Sequence, residues 1–446
     1  MRKAAARLLV AGTGSGCGKT TAVCAILQAL KNRGEDVMSF KCGPDYIDPM
    51  FHTEIIGTES ANVDLYFAGE VLAKSLFLKH ARSLNVIEGV MGYYDGLSMS
   101  SAEASSWHVA GALAAPALLV VNTQGMALSA AAAVKGFLSL RSPSRLAGVL
   151  LNRVSPMTYP QLKDVIEAEC GVRVYGWLPA MPECALESRH LGLVTAREVE
   201  DLRGKLQRLA AQAEKSVDLD GLVTLMRGQP GLEAEEVSEE KISDVTIAVA
   251  SDRAFCFYYR DNLELLEALG ARLVTFSPLH DAALPPCDGL YLGGGYPELY
   301  AEALSKNESM RASIRAAVEG GLPTVAECGG FMYLTEAIAG HPMAGALPGG
   351  CANRGKLVRF GYAELRAEQD SLLFAAGDAI RGHEFHYWDA TAPGEALTAV
   401  KPSGRSWRCA HVSHTLYAGF PHLYFPSAPE AARRFVRKCL ERKNGH

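Results

Sequence analysis

No stretch of the chain offers the roughly 20 consecutive apolar residues that a membrane-crossing helix needs. The richest run, residues 109–121, is too short and carries Pro116. A basic surplus is also missing. Lys and Arg number 44 against 49 Asp and Glu, a net charge of −5, and nucleic-acid recognition normally rests on the opposite balance. The eleven cysteines are scattered and contain no Cys-x-x-Cys pair. That pattern indicates free thiols in a reducing compartment rather than a zinc site or a disulfide framework. After Met1-Arg-Lys-Ala-Ala-Ala-Arg7 the apolar run reaches only Ala11 before glycines intervene, which is too short for the core of a secretory leader. Internal repeats and low-complexity tracts are absent. These gaps lead to the expectation of a cytoplasmic protein with no membrane and no nucleic acid as partner.

What remains is a chain of 446 residues, 48% hydrophobic and 21% charged, long enough for two domains. In the first half, short apolar runs at residues 7–11, 37–41, 85–88, 117–121 and 146–152 alternate with helical stretches at 20–33 and 127–140. Such alternation predicts a parallel sheet covered on both faces. Residues 185–228 turn polar and helical, and the acidic run at 233–241 reads as a solvated linker. A second αβ pattern follows, with strands expected at 246–250, 272–276, 289–292 and 324–326 and a helix at 259–269. The expected organisation is therefore a domain at 1–232, a linker at 233–242 and a second α/β domain at 243–446.

The first expected strand runs into Gly12-Thr-Gly14-Ser-Gly16-Cys-Gly18-Lys19-Thr20-Thr21 and then a helix. Glycines let successive backbone N–H groups curl around phosphate oxygens, and the helix N-terminus adds partial positive charge. Lys19 suits the β/γ-phosphates and Thr20 a Mg²⁺ ion. Five residues rather than the usual four separate Gly12 from Gly18, so the strand before and the helix after carry the assignment. Two acidic segments belong to the same strand ends. Lys41-Cys-Gly-Pro-Asp45-Tyr46-Ile-Asp48 follows the second run, and Glu88 ends the third, within a stretch reaching Asp95 and Gly96. An acid at the carboxyl end of a parallel strand, facing a phosphate loop, is placed to meet a nucleotide-bound cation.

In the second half, Thr324-Val-Ala-Glu runs into Cys328-Gly-Gly-Phe-Met-Tyr-Leu334. A cysteine on a strand-to-helix turn resembles a nucleophile elbow, and a nearby helix start is expected to lower its thiol pKa. Upstream, the backbone of Gly293-Gly294-Gly295 is a candidate oxyanion hole. A base is required, and spacing alone does not choose among His383, His386, His411, His414 and His422.

These motifs together resemble the cobyrinic acid a,c-diamide synthases, with dethiobiotin synthetase a more distant relative of the first half. The resemblance covers nearly the whole chain. It rests on the glycine loop, the 43–48 and 88–96 segments, and the 254–259, 292–298, 326–334, 382–387 and 417–425 segments. It implies a P-loop domain of the dethiobiotin synthetase kind followed by a class I glutamine amidotransferase domain. The implied reaction is ATP- and glutamine-dependent amidation of two acetate carboxylates of cobyrinic acid, through an acyl phosphate, in cobalamin biosynthesis. Asp45, Asp48, Glu88 and Asp95, with Tyr46 beside them, are implied to serve Mg²⁺ and the carboxyl-phosphate intermediate, Asn152 to read the base, and His422 to act as base for Cys328. His383 and His386 are expected to line the site or hold its loops.

Many class I glutaminases carry a Glu two residues beyond the histidine, where this chain has Tyr424. The cobyrinate branch lacks that acid as well, and what orients His422 is left open. A neighbouring reading is a nickel-sirohydrochlorin a,c-diamide synthase. A partitioning-type switch ATPase would explain the glycine loop alone and would require a lysine near Thr13. The sequence is compatible with a homodimer and does not require one.

Overall fold

The computed structural model describes residues 2–185 and 201–445. The chain divides into two compact units, 1–237 and 238–446, and the division falls within the acidic stretch. Residues 234–244 form no helix or strand, and most of 233–240 is exposed.

The first unit is built on seven strands: β1 (Ala6–Gly12), β2 (Val37–Cys42), β3 (Ser60–Val63), β4 (Leu84–Glu88), β5 (Ala117–Asn122), β6 (Leu146–Asn152) and β7 (Val174–Leu178). All pairings are parallel, in the order β3-β2-β4-β1-β5-β6-β7. Leu8, Leu9, Val10 and Ala11 are completely buried, as a strand covered on both faces must be, hence the unbroken apolar run. β3 and β7 escape a reading by apolar runs, because Ser60 and Asn62 break the first and Gly176 the second.

The helices of seven or more residues among the described residues of the unit are α1 (Lys19–Asn32), α2 (Leu65–His80), α3 (Ser106–Ala112), α4 (Ser129–Ser139), α5 (Tyr159–Cys170), α6 (Leu202–Ser216) and α7 (Leu219–Arg227). The last two account for the described part of the polar helical segment at 185–228. Residues 186–200 of that segment lie outside the described residues. Arg7 of β1 is fully buried and donates to the carbonyls of Ala5, Leu113, Ala114 and Pro230. Burial pulls its guanidinium down to about 10, and the four carbonyls offset the cost of hiding it.

The second unit has a six-stranded sheet. Its members are β8 (Val245–Ala250), β9 (Ala271–Phe276), β10 (Gly289–Leu292), β11 (Thr324–Glu327) and, much later, β16 (His411–Val412) and β17 (Leu416–Gly419). The order is β9-β8-β10-β11-β17-β16, parallel except for the final pair. A five-stranded antiparallel sheet lies between β11 and the end of the chain, beyond the last strand expected from sequence. It consists of β12 (Arg359–Ala367), β13 (Ala379–His386), β14 (Leu397–Val400), β15 (Ser406–Cys409) and β18 (His422–Leu423), in the order β15-β14-β12-β13-β18. Helices α8 (Arg260–Ala268), α9 (Glu308–Glu319), α10 (Gly329–Leu334) and α11 (Pro429–Lys443) frame the unit. Phe435, Val436 and Cys439 of α11 are completely buried in its core. Among the described residues no helix is long and apolar enough to cross a membrane.

Candidate active site

In the first unit the strand order inserts β4 between β2 and β1, so Lys41 and Glu88 are register partners, as are Val10 and Glu88. Three chain-distant segments therefore meet at one carboxyl edge of the sheet. Gly18 holds φ +94°, a value that side chains disfavour, and a Cβ there would lie 1.9 Å from Nδ2 of Asn152. Asn152 is buried and donates to the Cys17 carbonyl at 2.9 Å, bracing the loop from below. α1 then begins with no side-chain cap and no acid in its first turn, leaving its opening N–H groups for an anion.

Thr20 donates to Oε1 of Glu88 at 2.6 Å, and Lys19 reaches the Met91 carbonyl at 3.2 Å. The Lys41 ammonium sits among carboxylates: Glu88 at 3.1 Å, Asp45 at 3.6 Å and a direct ion pair with Asp48. Burial opposes that charge, yet the three carboxylates outweigh it and hold Lys41 well above its ordinary range. Lys19 is pulled down by burial and then by Lys41. Burial and the charge of Asp48 push Asp45 up to about 7. Burial works against the Asp48 carboxylate too, but its cationic neighbours, Lys41 first, leave it below the usual range.

Oδ1 of Asp48 and Oε2 of Glu88 are buried and have no hydrogen-bond partner among the described residues. With the Thr20 hydroxyl they offer hard oxygens of the kind Mg²⁺ takes. Asp45 instead uses Oδ1 to accept the N–H groups of Ile47 and Asp48, at 2.8 and 3.2 Å. Tyr46 is buried at the start of the next helical turn. Asp95 is exposed and accepts the Gly92 N–H at 2.7 Å, closing its own turn. A cavity of about 310 Å³ lies against the loop, lined by Gly18, Thr21, Gln124, Asn152, Pro179 and Met181 among others.

In the second unit β11 delivers Cys328 at φ +48°, ψ −102°, a strained turn of the kind that concentrates at reacting groups. Gly330 makes the turn fit, because a Cβ there would lie 2.1 Å from the Leu292 carbonyl oxygen. The Cys328 N–H donates to the Gly419 carbonyl at 2.7 Å. His422 follows three residues later, on the antiparallel sheet, as the register partner of His383. A Cβ on Gly294 would lie 2.3 Å from Cε1 of His422, and one on Gly329 would lie 3.1 Å from the Gly295 nitrogen. The Gly294-Gly295 backbone thus lies against both the imidazole and the cysteine turn. The Gly293 N–H is already donated to the Tyr258 hydroxyl at 2.8 Å.

The expected lowering of the thiol pKa is not what the structure shows. α10 is only six residues long and Cys328 is buried. Burial pushes the thiol well up, and the charges of Glu298, Glu384 and Glu327 add to that against the Gly329 N–H. Ionisation therefore depends on a base. Burial, together with His383 and His386, holds His422 far below its ordinary range, so its imidazole is neutral and able to accept a proton.

Comparison with known proteins follows this division of labour. Residues 8–194 match the CobQ/CobB/MinD/ParA nucleotide binding domain, and residues 246–429 match the CobB/CobQ-like glutamine amidotransferase domain. The cobyrinate a,c-diamide synthase of Caldanaerobacter subterraneus is 40% identical, over 97% of this chain and 98% of its own. That of Salmonella typhimurium is 40% identical, over 96% and 97%, and that of Gloeobacter violaceus 42%, over 97% of each chain. The chain belongs to the cobyrinate a,c-diamide synthase family.

As a member of that family it is a nucleotide-binding, glutamine-dependent ligase that forms amides. The amidotransferase match covers the half of the chain that a switch ATPase would leave without a task. Sequence reasoning passed over Lys41, His52, Tyr259 and Glu327. His52 is buried against Glu88 at 3.6 Å and Ser39 at 2.7 Å, and Tyr259 bonds His383 at 2.9 Å. The signal for Lys41 and Glu327 was available, since each is a charged residue ending an otherwise apolar strand.

Proposed function

We propose that the protein amidates the a- and c-acetate carboxylates of cobyrinic acid in cobalamin biosynthesis, using ATP and the side-chain amide of glutamine. The observation that carries the reading is the presence, in one chain that follows its cobyrinate-named relatives end to end, of a phosphate loop and a strained cysteine elbow. His422 takes the Cys328 proton, and the sulfur attacks the glutamine amide carbon. Donors at Gly294 and Gly295 stabilise the oxyanion. The proton passes to the leaving nitrogen as ammonia departs, and water then releases glutamate from the thioester.

In the first unit Gly14, Gly16, Gly18, Lys19 and Thr21 hold the ATP phosphates, and Asn152 with the adjoining cavity receives the base. Thr20, Glu88 and an aspartate of the 45–48 segment hold Mg²⁺. Asp48 is favoured over Asp45 because its buried Oδ1 has no hydrogen-bond partner among the described residues. When bound, the ion neutralises charge on the phosphates. A substrate carboxylate attacks the γ-phosphorus, ADP leaves, and ammonia displaces phosphate from the acyl phosphate. A free carboxylate is a poor acyl donor because it lacks a leaving group, hence the need for ATP. Asp45, Tyr46 and Asp95 are assigned to the carboxyl-phosphate side of this chemistry on the strength of the family resemblance. We place the reaction in the cytoplasm, where ATP and glutamine are both at hand.

The test is mass spectrometry of products from MgATP, glutamine and either cobyrinic acid or nickel-sirohydrochlorin. Two successive carboxylate-to-amide changes on cobyrinic acid alone are expected. Conversion of the nickel macrocycle instead would assign the protein to that pathway. Glutamine hydrolysis with neither macrocycle changed would overturn the tetrapyrrole substrate.

A further inference from the structure

We infer that Glu327 is the positioning residue for His422, presenting its carboxylate to Nδ1 so that Nε2 is directed at the Cys328 thiol. The inference rests on the proposed role of His422 as base and supplies what the Tyr424 position lacks. Glu327 ends β11 immediately before the nucleophile and is 1% exposed. Its Oε1 accepts the N–H of Leu423, the residue after His422, at 3.0 Å. Its Oε2 accepts the Tyr291 hydroxyl at 3.2 Å and stands 3.9 Å from Nδ1 of His422. Catalytic hydrogen bonds are often long in enzymes without substrate and tighten in the reacting complex.

The surroundings leave the ring few other orientations. His383 stacks on it at 4.9 Å between centroids and 17° between planes, and is itself held by the Tyr259 hydroxyl at 2.9 Å. Gly294 abuts Cε1. Asn262 ties down the following segment through the Leu423 carbonyl and the Phe425 N–H, at 2.8 and 2.9 Å. Tyr424, where many class I glutaminases carry an acid, directs its hydroxyl to Asp261 at 2.6 Å. The carboxylate that faces Nδ1 therefore comes from the strand that carries the cysteine. Accepting a hydrogen bond from Nδ1–H leaves the Nε2 lone pair for the thiol proton, and the carboxylate offsets the imidazolium charge that results. Glu327 itself transfers no proton and forms no bond.

The test compares Glu327→Gln, His422→Asn and wild type in glutamine-dependent and ammonia-dependent synthesis. Gln keeps the shape and can still accept the Leu423 N–H. Its glutaminase kcat is expected to fall about 100-fold with the glutamine KM within about twofold, while ammonia-dependent synthesis is retained. The pH profile supplies a readout that a merely structural role would not move. Wild type should show a rising limb near pH 8, where burial has placed Glu327, and Glu327→Gln should lack it. Other titratable groups facing the pair are Tyr258, Tyr259, Tyr291, Glu298, Cys328, His383, Glu384, His386 and Tyr417, and the variant leaves them in place.

A Glu327→Gln glutaminase within about threefold of wild type at every pH would overturn the inference. If His422→Asn hydrolyses glutamine normally, the assignment of the base fails instead. Should Glu327→Gln also lose ammonia-dependent synthesis, Glu327→Asp decides. A lowered kcat with the limb preserved supports the positioning role, and an unchanged kcat refutes it.

Discussion

Lys41 and Glu88 are neighbours across β2 and β4, and Glu327 lies beside the nucleophile it precedes. Each is a charged residue buried near the end of a strand, and at Glu327 burial has a measurable consequence. Burial pushes Glu327 up from an ordinary 4.5 to about 8. Between those values the folded chain keeps a proton that the unfolded chain releases. Stability therefore falls as pH rises through the window, by about 1.4 kcal/mol per unit, and levels off above pH 8. Glu327→Gln has no such proton to hold. Urea titrations at pH 5, 6.5 and 8 should show the variant gaining on wild type as pH rises, and a difference independent of pH would contradict the assignment. At the same scale, Cys328→Ser should abolish glutamine use while leaving synthesis from free ammonia within about twofold.

Among the elements, the loop from β1 into α1 is the most tightly specified. Gly18 combines φ +94° with the Asn152 side chain directly beneath it. Gly18→Ala should lower nucleotide affinity at least tenfold by calorimetric titration, since the left-handed backbone alone costs about 1–2 kcal/mol before the clash is counted. The glutaminase reaction should continue at its normal rate. β1 depends on Arg7 in a different way. Arg7→Met fills the volume but leaves four carbonyls without their donor. A loss of about 3 kcal/mol in chemical denaturation is expected, with no change in glutaminase kcat. The position of Arg7 at the start of its strand, away from the carboxyl edge, is what separates it from Lys41 and Glu88.

At the scale of the whole molecule, the described residues of each unit form their own buried cores, against the seven-stranded sheet in the first and on both faces of the six-stranded sheet in the second. Scanning calorimetry should resolve two transitions, and MgATP at about 100 times its dissociation constant should stabilise one of them by about 2.7 kcal/mol. A single transition that MgATP shifts as a whole would show the units melting as one. Local patterns determined a great deal. Apolar runs bounded by Gly, Pro or polar residues located β1, β2, β4, β5, β6, β8, β9, β10 and β11, and the residues that follow a strand marked the phosphate loop and the Cys328 turn. Those signals are short-range, because strand burial and turn chemistry act within a few residues. Strand order was not legible, and strand order is what sets Glu88 between Lys41 and the loop. The same holds for the return of the chain through an antiparallel sheet to bring His422 beside Glu327, 95 positions after it in sequence. Periodicity says which face of a segment is buried but not against what, and in this protein only the tertiary pairing decides which buried charges face one another.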